Sequence, residues 1–88
     1  MDLIHAQQGE YLVVTVNAAR IDASAALEFK DSMNAIDESN SKILLNLAQV
    51  EFIDSSGLGA VVSVMKRLGK GHRFDLCALT PSVERVFR

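Results

Sequence analysis

The chain has 88 residues, with 9 Lys and Arg against 11 Asp and Glu and a formal net charge of -2. That length holds a single domain, residues 1–88, and burying roughly 60–65% of the unfolded surface leaves a thin stability margin. With 49% hydrophobic and 23% charged residues the chain is globular rather than disordered or fibrous, and its slightly acidic balance gives no electrostatic reason to bind nucleic acid or an anionic membrane.

Residues 1–8 read as a short first strand, and Gln8-Gly9-Glu10 as a turn in which Gly9 can take positive φ. Tyr11-Leu12-Val13-Val14-Thr15-Val16 is aromatic and β-branched, as strands prefer, so the two segments predict a hairpin. After Arg20-Ile21-Asp22-Ala23-Ser24, the spacing of Ala26, Phe29, Met33 and Ile36 places them on one helical face. Asp22 or Ser24 can cap that helix, and Asp37-Glu38-Ser39-Asn40-Ser41 ends it in a loop.

Lys42-Ile43-Leu44-Leu45-Asn46-Leu47 is apolar at nearly every position, which predicts a strand covered on both faces. Asp54-Ser55-Ser56-Gly57 is a helix-start signal, and Leu58, Val61, Val62, Met65 and Leu68 form the apolar stripe predicted for the helix after it. Gly69 and Gly71 stop that helix. Phe74-Asp75-Leu76-Cys77-Ala78-Leu79 reads as a further strand. Thr80 then reads as a cap and Pro81 as the first residue of a last helix with Val83, Val86 and Phe87 on its apolar face. The predicted order is β-β-α-β-α-β-α, an α/β fold with parallel neighbours.

Several classes of function lack their residues. No apolar run approaches the ~20 residues that span a bilayer, and the N-terminus carries no secretory signal pattern. Cys77 is the single cysteine, so no internal disulfide forms, in keeping with a cytoplasmic protein. His5 and His72 are the two histidines, and no metal-ligand spacing occurs. No catalytic residue, metal site or cofactor is predicted. Cys77, Met33 and Met65 read as packing, and Lys66, Arg67, Lys70, His72 and Arg73 as a solvated helix end.

The informative stretch is Phe52-Ile53-Asp54-Ser55-Ser56-Gly57-Leu58-Gly59. Two hydroxyls and two glycines stand where a helix begins, and the free N–H groups and dipole of a helix N-terminus favour an anion, whether bound or attached covalently to a serine. A plain cap by Asp54 or Ser55, with glycines allowing close packing, accounts for the same residues. A nucleotide cradle is weaker, because the Gly-x-x-x-x-Gly-Lys-Ser/Thr loop is absent. A serine hydrolase is weaker still, because Ile53 stands where Gly-x-Ser-x-Gly needs its first glycine. Leu58 either opens the buried stripe or protrudes as an anchor, and periodicity leaves both open.

This stretch, with Asn46-Leu47 before it, Arg20-Ile21-Asp22-Ala23-Ser24 ahead of the first helix and Leu79-Thr80-Pro81-Ser82-Val83 ahead of the last, resembles the STAS (sulfate transporter and anti-sigma factor antagonist) domain, specifically the stand-alone bacterial anti-sigma factor antagonists. The resemblance implies a mixed sheet of about four strands with about three helices mainly on one face. It also implies a non-enzymatic switch. Ser55 matches the serine phosphorylated by a partner that is both anti-sigma factor and serine kinase. Unphosphorylated antagonist binds that partner and frees the sigma factor, and a serine phosphatase resets the phosphorylated form. Asp54, Ser56, Gly57 and Leu58 flank the acceptor, and Asp22, Ala23 and Ser24 match a loop beside it on the binding face.

Two alternatives accompany this reading: a STAS regulator of another signalling or transport partner, and a small nucleotide-binding or hydrolytic domain. Stand-alone members continue beyond the last helix. The end at Val86-Phe87-Arg88 therefore reads as either naturally minimal or cut short, and a shortened chain is expected to self-associate through uncovered sheet.

Overall fold

The computed structural model describes residues 2–36, 42–68 and 73–87. The elements run β1 (Leu3–Gln8), β2 (Tyr11–Val16), β3 (Arg20–Ile21), α1 (Ala23–Asn34), β4 (Lys42–Asn46), β5 (Phe52–Ile53), α2 (Ser55–Leu68), β6 (Arg73–Cys77) and α3 (Pro81–Phe87). The loop predicted over Asp37 to Ser41 and the stop signals Gly69 and Gly71 lie outside the described residues, as do Lys70 and His72.

The main sheet has the order β1-β2-β4-β6. β1 and β2 are antiparallel, with Leu3 opposite Val16 and Gln8 opposite Tyr11. The two residues between them, Gly9 and Glu10, turn the chain, and only Gly9 has positive φ, at 61°. A glycine first in a two-residue loop is what a type II′ hairpin requires. β2 pairs parallel with β4, and β4 parallel with β6, so α1 and α2 are the crossovers that the alternation of strands and helices predicts. β6 ends at Cys77, shorter than predicted, because Ala78 takes the left-handed backbone with φ 57° and turns the chain out of the sheet.

One core joins the helices to the sheet. Val14, Val16, Ile43 and Leu45 meet Phe29 and Met33 of α1, Val61, Val64 and Leu68 of α2 and Val83 of α3. Each fully buried Leu, Ile, Val, Phe or Met contributes roughly 1.5–3 kcal/mol relative to exposure. The expectation of a β4 covered on both faces is corrected. Ile43 and Leu45 are buried, while Lys42, Leu44 and Asn46 are half-buried. The second face is screened by in-register neighbours such as Val13 opposite Leu44 rather than by a helix layer. Cys77 is likewise half-buried beside Asn46 instead of packed in the core.

The stripe predicted for α2 is rotated. Gly57, Ala60, Val61, Val64 and Leu68 are its buried residues, whereas Leu58 and Met65 are half-buried and Val62 is 37% exposed. The helix turns this way because it leans on α1 as well as on the sheet. Gly57 abuts Ile21 at one end, and at the other the Arg67 guanidinium donates to the Met33 carbonyl over 3.0 Å. Arg67 is thus a half-buried link between helices rather than part of a solvated basic end. Thr80 does not cap α3 through its hydroxyl, which donates instead to the Val50 carbonyl at 2.8 Å; its carbonyl accepts the Glu84 N–H.

Candidate functional site: two helix N-termini joined at Asp54

Two parallel strands of two residues each set the site. β3 pairs with β5, Arg20 beside Phe52 and Ile21 beside Ile53. Ile21 and Ile53 are buried, which anchors this small ribbon to the core. Alternation turns Arg20 and Phe52 outward. Both strands run directly into helices, β3 into α1 through Asp22 and β5 into α2 through Asp54. The N-termini of α1 and α2 are therefore side by side because their leading strands are paired.

Asp22 is the cap of α1, choosing between the two residues that the sequence left open. Its Oδ1 accepts the Ala25 N–H at 3.2 Å, and the Ser24 hydroxyl donates to the same oxygen at 2.7 Å. Arg20 Nε approaches Asp22 Oδ2 at 3.4 Å. The Ser24 hydroxyl above all, then the Ala25 N–H and the Arg20 guanidinium, hold the Asp22 carboxyl below the ordinary carboxylate range against an opposing desolvation.

Asp54 serves both helices. Its Oδ1 accepts the Gly57 N–H at 2.8 Å, capping α2, and its backbone carbonyl accepts the Leu58 N–H at 2.9 Å. Its Oδ2 accepts the N–H of Ala23, the first residue of α1, at 3.1 Å. One carboxylate thus ties two helix starts together. Gly57 permits the approach, since a Cβ there would stand 1.9 Å from the Ile21 carbonyl oxygen. Gly59 has no such role, with nothing within 4 Å of an added Cβ.

Ser55 occupies the first position of α2 and is exposed, as are Ser56, Ala23 and Ser24. Asp22 and Asp54 are half-buried, Gly57 is buried, and Leu58 is half-buried and packed against the core. All the residues singled out by sequence lie on or beside the joined helix starts. Asp54 and Gly57 build the surface, Ser55, Ser56, Ala23 and Ser24 present it, and Leu58 supports it from the core side. Sequence reasoning gave no role to Arg20 or Phe52. Two-residue strands are too short to leave a period-two signal, so their outward pairing is visible only in three dimensions.

The fold and the sequence have known counterparts. A family-wide profile described as STAS domain matches residues 3–88. BtrV of Bordetella bronchiseptica, described as an anti-sigma factor antagonist, is 31% identical over 86 residues, covering 97% of this chain and 66% of that protein. The chain thus spans 66% of that relative's length. A Thermotoga maritima structure described as an anti-sigma factor antagonist superposes with a TM-score of 0.79 at 28% identity, over 97% of this chain and 74% of that one. SpoIIAA in its unphosphorylated form, an anti-sigma factor antagonist, shares the fold with a TM-score of 0.70 at 24% identity, over 98% of this chain and 81% of that one. With the profile running from the first strand to the last residue and these folds superposing on it, the chain belongs to the STAS domain family.

Proposed function

We propose that this chain is an anti-sigma factor antagonist whose binding is switched by phosphorylation of Ser55. Unphosphorylated, it binds an anti-sigma factor that is also a serine kinase and so releases the sigma factor. Phosphorylated, it does not bind until a serine phosphatase removes the group. It works as a cytoplasmic binding protein and catalyses no reaction. The observation that carries the reading is the exposed Ser55 at the joined N-termini of α1 and α2, in a chain similar to proteins described as anti-sigma factor antagonists.

Electrostatics explains how so small a change switches a complex. Phosphorylation adds about -1.5 to -2 charge and takes a domain of net charge -2 to roughly -4. The added charge falls directly after Asp54, at the helix start that Asp54 ties to the one capped by Asp22. The N-terminus of α2 tolerates a phosphate, so the fold has no reason to change. A partner docked on this surface must desolvate the new dianion beside existing carboxylates, and like-charge juxtaposition costs several kcal/mol.

Incubation with a serine-kinase anti-sigma factor and ATP, followed by mass spectrometry, tests the assignment. One added phosphate mapped to Ser55, and none on Ser55→Ala, is expected. Phosphate at Ser56 or Ser24 instead, or none at all, refutes it.

A further inference from the structure

The outward pair of the small ribbon is unlike its surroundings. The Arg20 guanidinium carbon lies 4.6 Å from the centroid of the Phe52 ring. Phe52 is nonetheless 42% exposed, and the Arg20 side chain 63% exposed. This ring, left open under a stacked guanidinium two residues ahead of both helix caps, lies outside the domain's core cluster.

Both Asp54 oxygens accept helix N–H groups. Asp22 Oδ1 accepts from Ser24 and Ala25, and its Oδ2 faces Arg20 Nε. These two half-buried carboxylates are thus engaged by donors of the chain itself. Among the described residues nothing accepts from the Nη groups of Arg20, which leaves the planar fork that fits a carboxylate. That fork is donor capacity set over an apolar plate.

We propose that Arg20 and Phe52 form the anchor of the partner-binding surface, receiving from the anti-sigma factor a carboxylate side chain set beside an apolar one. The proposal rests on the partner-switching reading of Ser55 and adds to it the attractive half of the recognition. The guanidinium clasps the carboxylate, the ring covers its apolar neighbour, and neither group takes part in the fold's core. Exposed Arg and aromatic residues of this kind supply a disproportionate share of interface affinity.

The test is calorimetric titration of the full chain with the anti-sigma factor that phosphorylates Ser55. Arg20→Gln and Phe52→Ala are each expected to weaken binding about tenfold or more. Arg20→Lys should also weaken it several-fold, since an ammonium keeps the charge but loses the planar fork. Thermal melts within a few degrees of wild type establish that the variants are folded. If Arg20→Gln and Phe52→Ala bind within about twofold of wild type while Ser55→Asp is weakened, the anchor is refuted and the switch stands. If Phe52→Ala alone is weakened, the carboxylate contact is refuted. If Ser55→Asp also binds like wild type, the switch reading falls and the anchor with it.

Discussion

A methyl group added at Gly57 would stand 1.9 Å from the Ile21 carbonyl oxygen, whereas the same methyl at Gly59 meets nothing within 4 Å. Two glycines that look equivalent in the run Asp54 to Gly59 therefore do opposite things. Gly57 lets α2 lean on the end of β3, which brings Asp54 within reach of both helix starts. Gly59 weakens its own helix, by the conformational freedom that glycine retains when unfolded. Gly57→Ala should accordingly destabilise the domain by about 3 kcal/mol, because a backbone oxygen cannot move aside as a side chain can. Gly59→Ala should stabilise it by about 0.5–1 kcal/mol. Urea denaturation of the two variants checks both, and effects of the same sign would contradict the packing described for α2.

At the scale of elements, the N-terminus of α1 is a pH-dependent joint. Asp22 has its folded pKa depressed, chiefly by the Ser24 hydroxyl. Its charged form therefore adds stability above the unfolded value, and that contribution disappears as the pH falls through the lower, folded value. Asp22→Asn keeps an oxygen for capping but removes the charge. The difference in Tm between wild type and this variant should be constant at neutral pH and close on acidification below about pH 4. A difference that instead grows toward low pH would contradict the cap.

The same element shows where the sequence can be read and where it cannot. Asp22, Ser24 and the spacing of Phe29 and Met33 signal a capped amphipathic helix locally, and the structure holds one, which ends at Asn34 and leaves Ile36, expected on the same face, buried just beyond it. The face of α2 is not legible in the same way. Five apolar positions offered a stripe through Val62, but contacts with Ile21 and with Met33 of α1 select the stripe through Ala60 and Val64. Leu44 misleads for a related reason. An apolar residue on a strand says nothing about whether a helix or only a neighbouring strand covers it. The ribbon of β3 and β5 is invisible because two residues carry no period, yet its pairing helps set Asp22 and Asp54 together.

At the scale of the whole molecule, the sheet and its helices form a rigid base for one surface. Core residues from β2, β4, α1, α2 and α3 interlock, and the helix starts carrying Ser55, Ala23 and Ser24 are fixed to that base by backbone N–H groups bound to carboxylates. In the proposed switch, a surface so held changes its charge rather than its shape when Ser55 is phosphorylated. The near balance of charge over the chain makes a single dianion a large relative change.

Phosphate on Ser55 is proposed to abolish partner binding while leaving the fold intact. Calorimetric titration of the anti-sigma factor with unphosphorylated and Ser55-phosphorylated protein, with amide spectra recorded on both, measures both halves at once. Binding by the first form, a loss of at least about tenfold by the second, and spectral changes confined to residues around Asp22 and Asp54 are expected. Equal affinity of the two forms, or a loss accompanied by shifts throughout the core, would contradict it.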